Sequence, residues 1–215
     1  MSERRPIASR DTKLAARIAR RLADRGVSPN TISQASMAFA ALAGFGFWMS
    51  GSSNGILYVV CLVVAALGCQ FRLLCNLFDG MVAVEGGRGA PDGPFWNEAP
   101  DRVADALILV GIGLGTGHAA LGWAAAALAI GTAYIRELGS AQALGVDFRG
   151  PMAKPQRMAL ATAMALLAIF VPSVLGWSVL TIGLWIIVLG TTVTIVRRSL
   201  SLVAALKTRS REAEQ

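Results

Sequence analysis

Residues 26–71 read GVSPNTISQASMAFAALAGFGFWMSGSSNGILYVVCLVVAALGCQF and contain no Asp, Glu, Lys or Arg. A membrane-spanning helix needs roughly 20 apolar residues, each adding about 1.5 Å of rise. This stretch is long enough for two such helices, with the polar turn GSSNG at residues 51–55 between them. It therefore predicts two transmembrane helices, near residues 32–50 and 55–78.

Residues 106–135 and 158–196 are also free of charged side chains. Turn sequences divide each of them, TGH at residues 116–118 and PS at residues 172–173. They predict four further spans, near residues 97–115, 119–140, 157–172 and 175–196. The expected fold class is an all-α integral membrane protein with six transmembrane helices.

The composition of the whole chain agrees with this prediction. Hydrophobic residues make up 54 % and charged residues 15 %, with a mean hydropathy of +0.56. A soluble domain carries about 25 % charged residues, and a disordered chain combines low hydrophobicity with high charge. Both classes are therefore excluded.

The basic residues indicate the orientation in the membrane. The first 25 residues hold eight of them, and others follow the second, fourth and sixth spans, whereas the remaining connections hold no Lys or Arg. The positive-inside rule then places both termini and the charged loops on the cytoplasmic side of the cytoplasmic (inner) membrane. The net charge of +7 is thus explained by an anionic bilayer surface, and no nucleic-acid partner is expected.

Residues 11–25 have the pattern of an amphipathic helix, with Leu14, Ala15, Ile18 and Leu22 at helical spacing. A helix lying on the membrane surface is favoured over a solvated basic tail, because the segment leads directly into a span. Three regions are expected: a cytoplasmic segment with this juxtamembrane helix (1–30), a transmembrane catalytic domain (31–198) and a cytoplasmic tail (199–215).

Polar residues interrupt the apolar pattern between the second and third spans. Asn76 and Asp79 are spaced i, i+3, and Asn97 and Asp101 are spaced i, i+4, so each pair shares a helix face. Helix caps and loop charges would explain any one of these residues. The whole set favours oxygen ligands converging on Mg²⁺, Mn²⁺ or Ca²⁺.

This region resembles the signature of the CDP-alcohol phosphotransferases, D-x2-D-G-x2-A-R-x8-G-x3-D-x3-D. Every interval matches, and the corresponding residues here are Asn76, Asp79, Gly80, Ala83, Val84, Gly93, Asn97 and Asp101. Six spans and a juxtamembrane helix are also typical of the family. Three positions depart from its pattern: two aspartates are Asn76 and Asn97, and the arginine is Val84.

The resemblance implies a divalent-metal site with one or two ions, Mg²⁺ or Mn²⁺, and a base. Its metal ligands would be Asp79, Asp101, Asn76 and Asn97, with Glu98 supplying a charge beside the altered position. Asp101 would also be the catalytic base. Asparagine oxygen ligates a hard cation but brings no negative charge.

The implied activity is membrane phospholipid synthesis. A phosphatidyl or substituted phosphate group would pass from a CDP-linked donor to an alcohol acceptor, with release of CMP. By the same resemblance, the nucleotide would lie against Asp79, Gly80, Ala83 and Gly93. Because many family members are dimeric, a homodimer is also implied.

The basic residues near and after the end of the fourth span have two interpretations. By the resemblance, Lys154, Arg157 and Arg136 would bind a phosphate of the acceptor or of a lipid. Topogenic charge explains Lys154 and Arg157 equally well, and an ion pair with Glu137 is the preferred explanation of Arg136.

Two alternative functions remain open at this stage. Asn76, Asn97 and Val84 suit a catalytically impaired relative that binds nucleotide or lipid as the partner of another enzyme. An unrelated transporter would also contain polar groups in its spans.

Overall fold

A computed structural model describes residues 13–85 and 91–213. These residues form seven helices and one two-stranded hairpin. The helices are α1 (Lys13–Asp24), α2 (Pro29–Ser50), α3 (Gly55–Glu85), α4 (Gly93–Gly115), α5 (Ala119–Ala141), α6 (Lys154–Phe170) and α7 (Val179–Ala213). The strands β1 (Ser173–Val174) and β2 (Trp177–Ser178) pair antiparallel between α6 and α7. The all-helical prediction is confirmed.

Four helices are long and apolar enough to cross a membrane: α2, α3, α5 and α7. The other two predicted spans do not reach that standard. Helix α4 carries Glu98, Asp101, Arg102 and Asp105, and α6 has only 17 residues. The chain is a membrane protein with four candidate spans among its described residues, and the count of six stays a prediction.

Large apolar side chains cover the outside of the helix bundle, while several charged ones are inside it. Phe45, Trp48 and Leu189 are each more than half exposed, whereas Arg72 is 0 % and Arg157 1 % exposed. A lipid bilayer accommodates exposed apolar side chains, whereas a charged side chain inside the bundle is costly unless it has a partner. The charged groups inside the bundle are therefore candidates for a functional site.

Small residues allow the helices that carry these polar groups to approach closely. A Cβ added to Gly44 of α2 would lie 2.3 Å from the carbonyl oxygen of Leu107 in α4. A Cβ on Gly111 of α4 would meet the Gly44 oxygen at the same distance. Backbone contact of this kind is typical of small-residue helix interfaces in membranes. It fixes α4 against α2.

Helix α1 begins at Lys13, the first described residue, and packs against α3. Its alanines Ala15, Ala19 and Ala23 are buried in a cluster with Met81 and Val82 of α3. Leu14, predicted to lie on the apolar face, is 65 % exposed. Contact of α1 with a membrane surface stays a prediction.

The join from α1 to α2 follows from local sequence. Gly26 adopts φ +80° directly after α1, a conformation that glycine allows without steric cost. The Ser28 hydroxyl then accepts a 3.1 Å hydrogen bond from the Thr31 backbone N–H, and Pro29 occupies the first helical position.

Candidate functional site

The C-terminal third of α3 places Asn76 and Asp79 in the interior, as their spacing predicted. Asp79 is 6 % exposed. One of its carboxylate oxygens accepts a 2.8 Å hydrogen bond from the Ser33 hydroxyl of α2, and the other accepts from the Gly80 backbone N–H at 2.5 Å. Neutral donors from two helices therefore hold this carboxylate.

Asp101 of α4 faces α3 and has contacts on both oxygens. Its Oδ1 accepts from the amide Nδ2 of Asn76 at 2.8 Å and lies 3.4 Å from Nη2 of Arg72. Its Oδ2 contacts the ammonium of Lys154, the first residue of α6. Asp101 thus joins three helices, and Asp79 lies within electrostatic range of it and of Lys154.

Asp105 lies one helical turn beyond Asp101 and is held by two arginines. Arg72 Nη2 contacts Oδ1 at 3.0 Å, and Arg157 Nη2 contacts Oδ2 at 2.5 Å. Arg157 also donates to the Met152 carbonyl oxygen at 3.1 Å. All three charged side chains are at most 2 % exposed. Asp105 therefore anchors Arg72 and Arg157 rather than facing open space.

Two predicted metal ligands, Asn97 and Glu98, make other contacts. Asn97 is exposed and donates to Glu98 Oε1 at 3.3 Å. Glu98 Oε2 lies 2.5 Å from both Arg102 and Arg136. In this structure Glu98 is thus neutralised by two arginines, and no contact joins it to Asp79 or Asp101 among the described residues.

The predicted nucleotide-binding residues lie where α3 ends and α4 begins. Gly80 and Ala83 are half-buried in α3 near its C-terminus. Gly93 is the first residue of α4, and a Cβ added there would meet nothing within 4 Å among the described residues. Asp92, just before it, accepts a 3.1 Å hydrogen bond from Asn30 of α2. As far as residues 13–85 and 91–213 are concerned, the space beside Gly93 is therefore open.

A cavity of about 500 Å³ lies between α5, the loop after it and α7. Its cationic side chains are Arg136, Arg149 and Arg198. Arg198 is 4 % exposed and donates to the backbone oxygens of Arg149 at 2.8 Å and Thr132 at 3.0 Å. Of the three residues predicted to bind acceptor phosphate, Arg136 lines this cavity, whereas Lys154 and Arg157 contact Asp101 and Asp105.

Asp147 also lines the cavity and pairs with Arg149 at 3.0 Å. Partial burial favours the neutral acid, but hydrogen bonds from the side chain and backbone N–H of Arg149 outweigh it. They hold the pKa of Asp147 below its usual value. Sequence reasoning missed Arg198 as a cavity residue, because it directly follows Arg197 in a basic run that also suits topogenic charge. Arg136 does pair with Glu137, at 2.8 Å, as predicted.

The donor set suits one divalent cation better than two. Asp79 and Asp101 supply two negative charges and hard oxygen atoms, and Asn76 lies beside them with an amide oxygen. Among the described residues there is no group of three or more acidic, His or Cys side chains arranged to hold a metal. Two carboxylates carry the charge that matches one divalent ion, although Asp101 is also paired with Arg72 and Lys154 in this structure.

No family model matches the chain, and no curated protein matches it. Solved structures do. Phosphatidylinositol phosphate synthase (PgsA1) of Mycobacterium tuberculosis with CDP-DAG bound aligns with a TM-score of 0.72 at 19 % identity, covering 89 % of this chain and 94 % of that one. The same enzyme with manganese and citrate gives a TM-score of 0.71 at 20 % identity, covering 87 % and 88 %.

The chain shares the fold of this synthase. The apo form of the enzyme agrees, with a TM-score of 0.66 at 21 % identity, covering 86 % of this chain and 94 % of that chain. The similarity extends over nearly the full length of both proteins, so the helix arrangement around α3 and α4 belongs to the shared fold.

Proposed function

We propose that the protein is a membrane CDP-alcohol phosphotransferase of phospholipid synthesis. It transfers a phosphatidyl or substituted phosphate group from a CDP-linked donor to an alcohol acceptor and releases CMP. The observation that carries the proposal is the pair Asp79 and Asp101, which occupy motif positions on separate helices and are both buried beside Asn76. A synthase with CDP-DAG bound has the same fold, which supports a CDP-linked lipid as donor.

In this proposal the acceptor hydroxyl attacks the β-phosphorus of the donor. The new oxygen–phosphorus bond forms while the bond from that phosphorus to the oxygen bridging to CMP breaks. Asp101 takes the hydroxyl proton as general base, and CMP leaves with the electron pair of the broken bond. The burial of Asp101, 5 % exposed, keeps bulk water from competing as acceptor.

The proposed metal ligands are Asp79, Asp101, Asn76, Asn97 and Glu98, for one or two ions of Mg²⁺ or Mn²⁺. A bound divalent ion offsets the negative charge of the donor diphosphate and of the departing CMP. Asp79 and Asp101 form the core of this set. Glu98 joins it only when it leaves Arg102 and Arg136, so we assign it a secondary place.

The cytidine diphosphate is proposed to lie against Asp79, Gly80, Ala83 and Gly93. Small residues let a ligand approach the helix backbone, and the open space at Gly93 supports this position. The acceptor is proposed to bind through Arg136, Lys154 and Arg157. The basic cavity beside Arg136 adds Arg149 and Arg198 and would suit an acceptor that carries its own phosphate.

The remaining proposals concern the setting of the site. Basic loops support a cytoplasmic-membrane protein with both termini and the site on the cytoplasmic side. The regions 1–30, 31–198 and 199–215 keep their proposed roles, with residues 199–213 continuing α7 as helix. A homodimer is proposed from the resemblance alone.

The test is Mg²⁺-dependent release of CMP from CDP-DAG by purified protein in detergent, with a panel of alcohols and alcohol phosphates. We expect release with at least one acceptor, and its loss in Asp101→Asn and Asp79→Asn. Asp24→Asn is the matched control, because Asp24 is exposed on α1. Binding of CDP-DAG without release of CMP under any condition would instead indicate the catalytically impaired relative.

A further inference from the structure

The charged side chains that meet at the candidate site balance without a metal ion. Among the described residues, three carboxylates, Asp79, Asp101 and Asp105, are at most 6 % exposed. Three cations accompany them, of which Arg72 and Lys154 contact Asp101, and Arg72 and Arg157 contact Asp105. A divalent cation added to this cluster would leave two uncompensated positive charges in a poorly solvated interior, which is costly.

Both oxygens of Asp101 already accept from donors on other helices. Lys154 contacts Oδ2, and Asn76 presents its amide nitrogen to Oδ1 at 2.8 Å, with Arg72 at 3.4 Å. A metal ion that binds Asp101 competes with these donors for the carboxylate oxygens. The donor held least firmly is therefore the one that it displaces.

Lys154 is the donor able to leave. Its side chain is 31 % exposed, against 0 % for Arg72, the other charged donor of Asp101. The structure gives its ammonium one partner among the described residues, Asp101, whereas Arg72 bridges two carboxylates.

The position of Lys154 at the start of a helix also favours its release from Asp101. Lys154 is the first residue of α6, where the positive end of the helix dipole disfavours a cation. Its four-carbon stem turns freely, unlike the forked guanidinium of arginine.

We propose that Lys154 is the resident counter-ion of Asp101 and that a divalent cation displaces it on entering the site with the donor diphosphate. The two negative charges of the donor diphosphate offset the two positive charges that the cation brings. Lys154 is a positioning residue in this account, because it acts through Asp101. The inference rests on the proposed function, since it takes Asp101 as a metal ligand.

The test measures metal binding and not turnover. Free Mn²⁺ is quantified by electron paramagnetic resonance in titrations of the purified full-length protein in detergent, without nucleotide. Lys154→Met is expected to bind Mn²⁺ about tenfold more tightly than the wild type, because a competing charge is gone. Lys154→Arg keeps the charge and should bind like the wild type, as should the exposed control Lys207→Met.

Two further measurements make the result decisive. The double variant Lys154→Met/Asp101→Asn should lose the tenfold gain, because the gain requires the freed carboxylate. Thermal midpoint and size-exclusion elution establish that each variant is folded. Unchanged or weaker Mn²⁺ binding by folded Lys154→Met, or a gain that survives Asp101→Asn, overturns the inference.

The Mn²⁺-binding test and the CMP-release test of the proposed function can fail independently of each other. Tighter Mn²⁺ binding in Lys154→Met without CMP release by the wild type would uphold the counter-ion and reject the activity. CMP release that depends on Asp101, with no change of Mn²⁺ affinity in Lys154→Met, would uphold the activity and reject the counter-ion role of Lys154.

Discussion

At the scale of single residues, the sequence did not predict the ion-pair partners of Asp105. Its i, i+4 spacing from Asp101 puts the two side chains on one face of α4, but the structure gives both oxygens of Asp105 to arginines. Helical spacing predicts which residues share a face, and Asn76, Asp79 and Asp101 followed it. It carries no information on which cation reaches across from another helix, so the partners Arg72, Lys154 and Arg157 were not foreseen.

Loss of Asp105 should destabilise the protein strongly. Asp105→Asn leaves Arg72 and Arg157 buried with an uncompensated charge, and breaking such a pair costs about 3–5 kcal/mol. Thermal unfolding in detergent measures the effect. Glu137→Gln is the control, because Glu137 is 54 % exposed beside Arg136 and a surface pair contributes about 0–1 kcal/mol. Equal midpoints for the two variants would contradict a structural role for Asp105.

Restoring a carboxylate at position 76 should strengthen metal binding. Asn76→Asp would set two carboxylates against each other across the 2.8 Å contact with Asp101, and their repulsion favours a shared divalent ion. We expect roughly tenfold tighter Mn²⁺ binding, about 1.4 kcal/mol, and a melting temperature that rises with Mn²⁺. Asn54→Asp, in the exposed turn before α3, should change neither. A metal-independent melting temperature in Asn76→Asp would argue against a site at Asp101.

At the scale of helices, the sequence predicted the positions of the helices better than the residues at which they end. The second span was predicted over 55–78, but α3 continues to Glu85, because Asp79 is satisfied by Ser33 and Gly80 instead of ending the helix. The last span was predicted to end at 196, yet α7 runs to Ala213 through the basic residues. Charge marks where a helix leaves the bilayer, not where it stops. The β1–β2 hairpin was predicted only as a turn.

The contact between α2 and α4 should be sensitive to one methyl group. Gly111→Ala places a Cβ 2.3 Å from the Gly44 oxygen, so the helices must separate, and overpacking of this kind costs about 1–3 kcal/mol. Thermal unfolding of Gly93→Ala supplies the matched control, because that Cβ meets no described atom within 4 Å. A Gly111→Ala midpoint at or above that of the wild type would refute the close approach.

At the scale of the whole molecule, the open question is how the chain crosses the bilayer. Four helices qualify as spans on length and composition, while α4 and α6 carry or adjoin the buried charges. Helix α4 falls short because of the charges that it carries, and α6 because it has 17 residues; Asp101 and Asp105 of α4 face cationic partners inside the bundle. The fold shared with the synthase structures agrees with a bundle in which all of these helices pack together.

A six-span topology predicts opposite sides for two sites. Single cysteines replacing His118, in the α4–α5 turn, and Lys207, near the end of α7, would be introduced into a variant without Cys61, Cys69 and Cys75. In intact spheroplasts, a membrane-impermeant maleimide should label position 118 and spare position 207 until the membrane is opened. Labelling of position 207 from outside would contradict the predicted orientation.

We propose that this ion-balanced site transfers a phosphate group from a CDP-linked donor. The rate of Mg²⁺-dependent CMP release from CDP-DAG by the wild type and by Asp101→Asn, both checked for folding, tests this proposal. We expect release with an acceptor alcohol and a fall of about 10²-fold or more in the variant, the scale of a lost general base. No release with any acceptor, or an undiminished rate in folded Asp101→Asn, would contradict it.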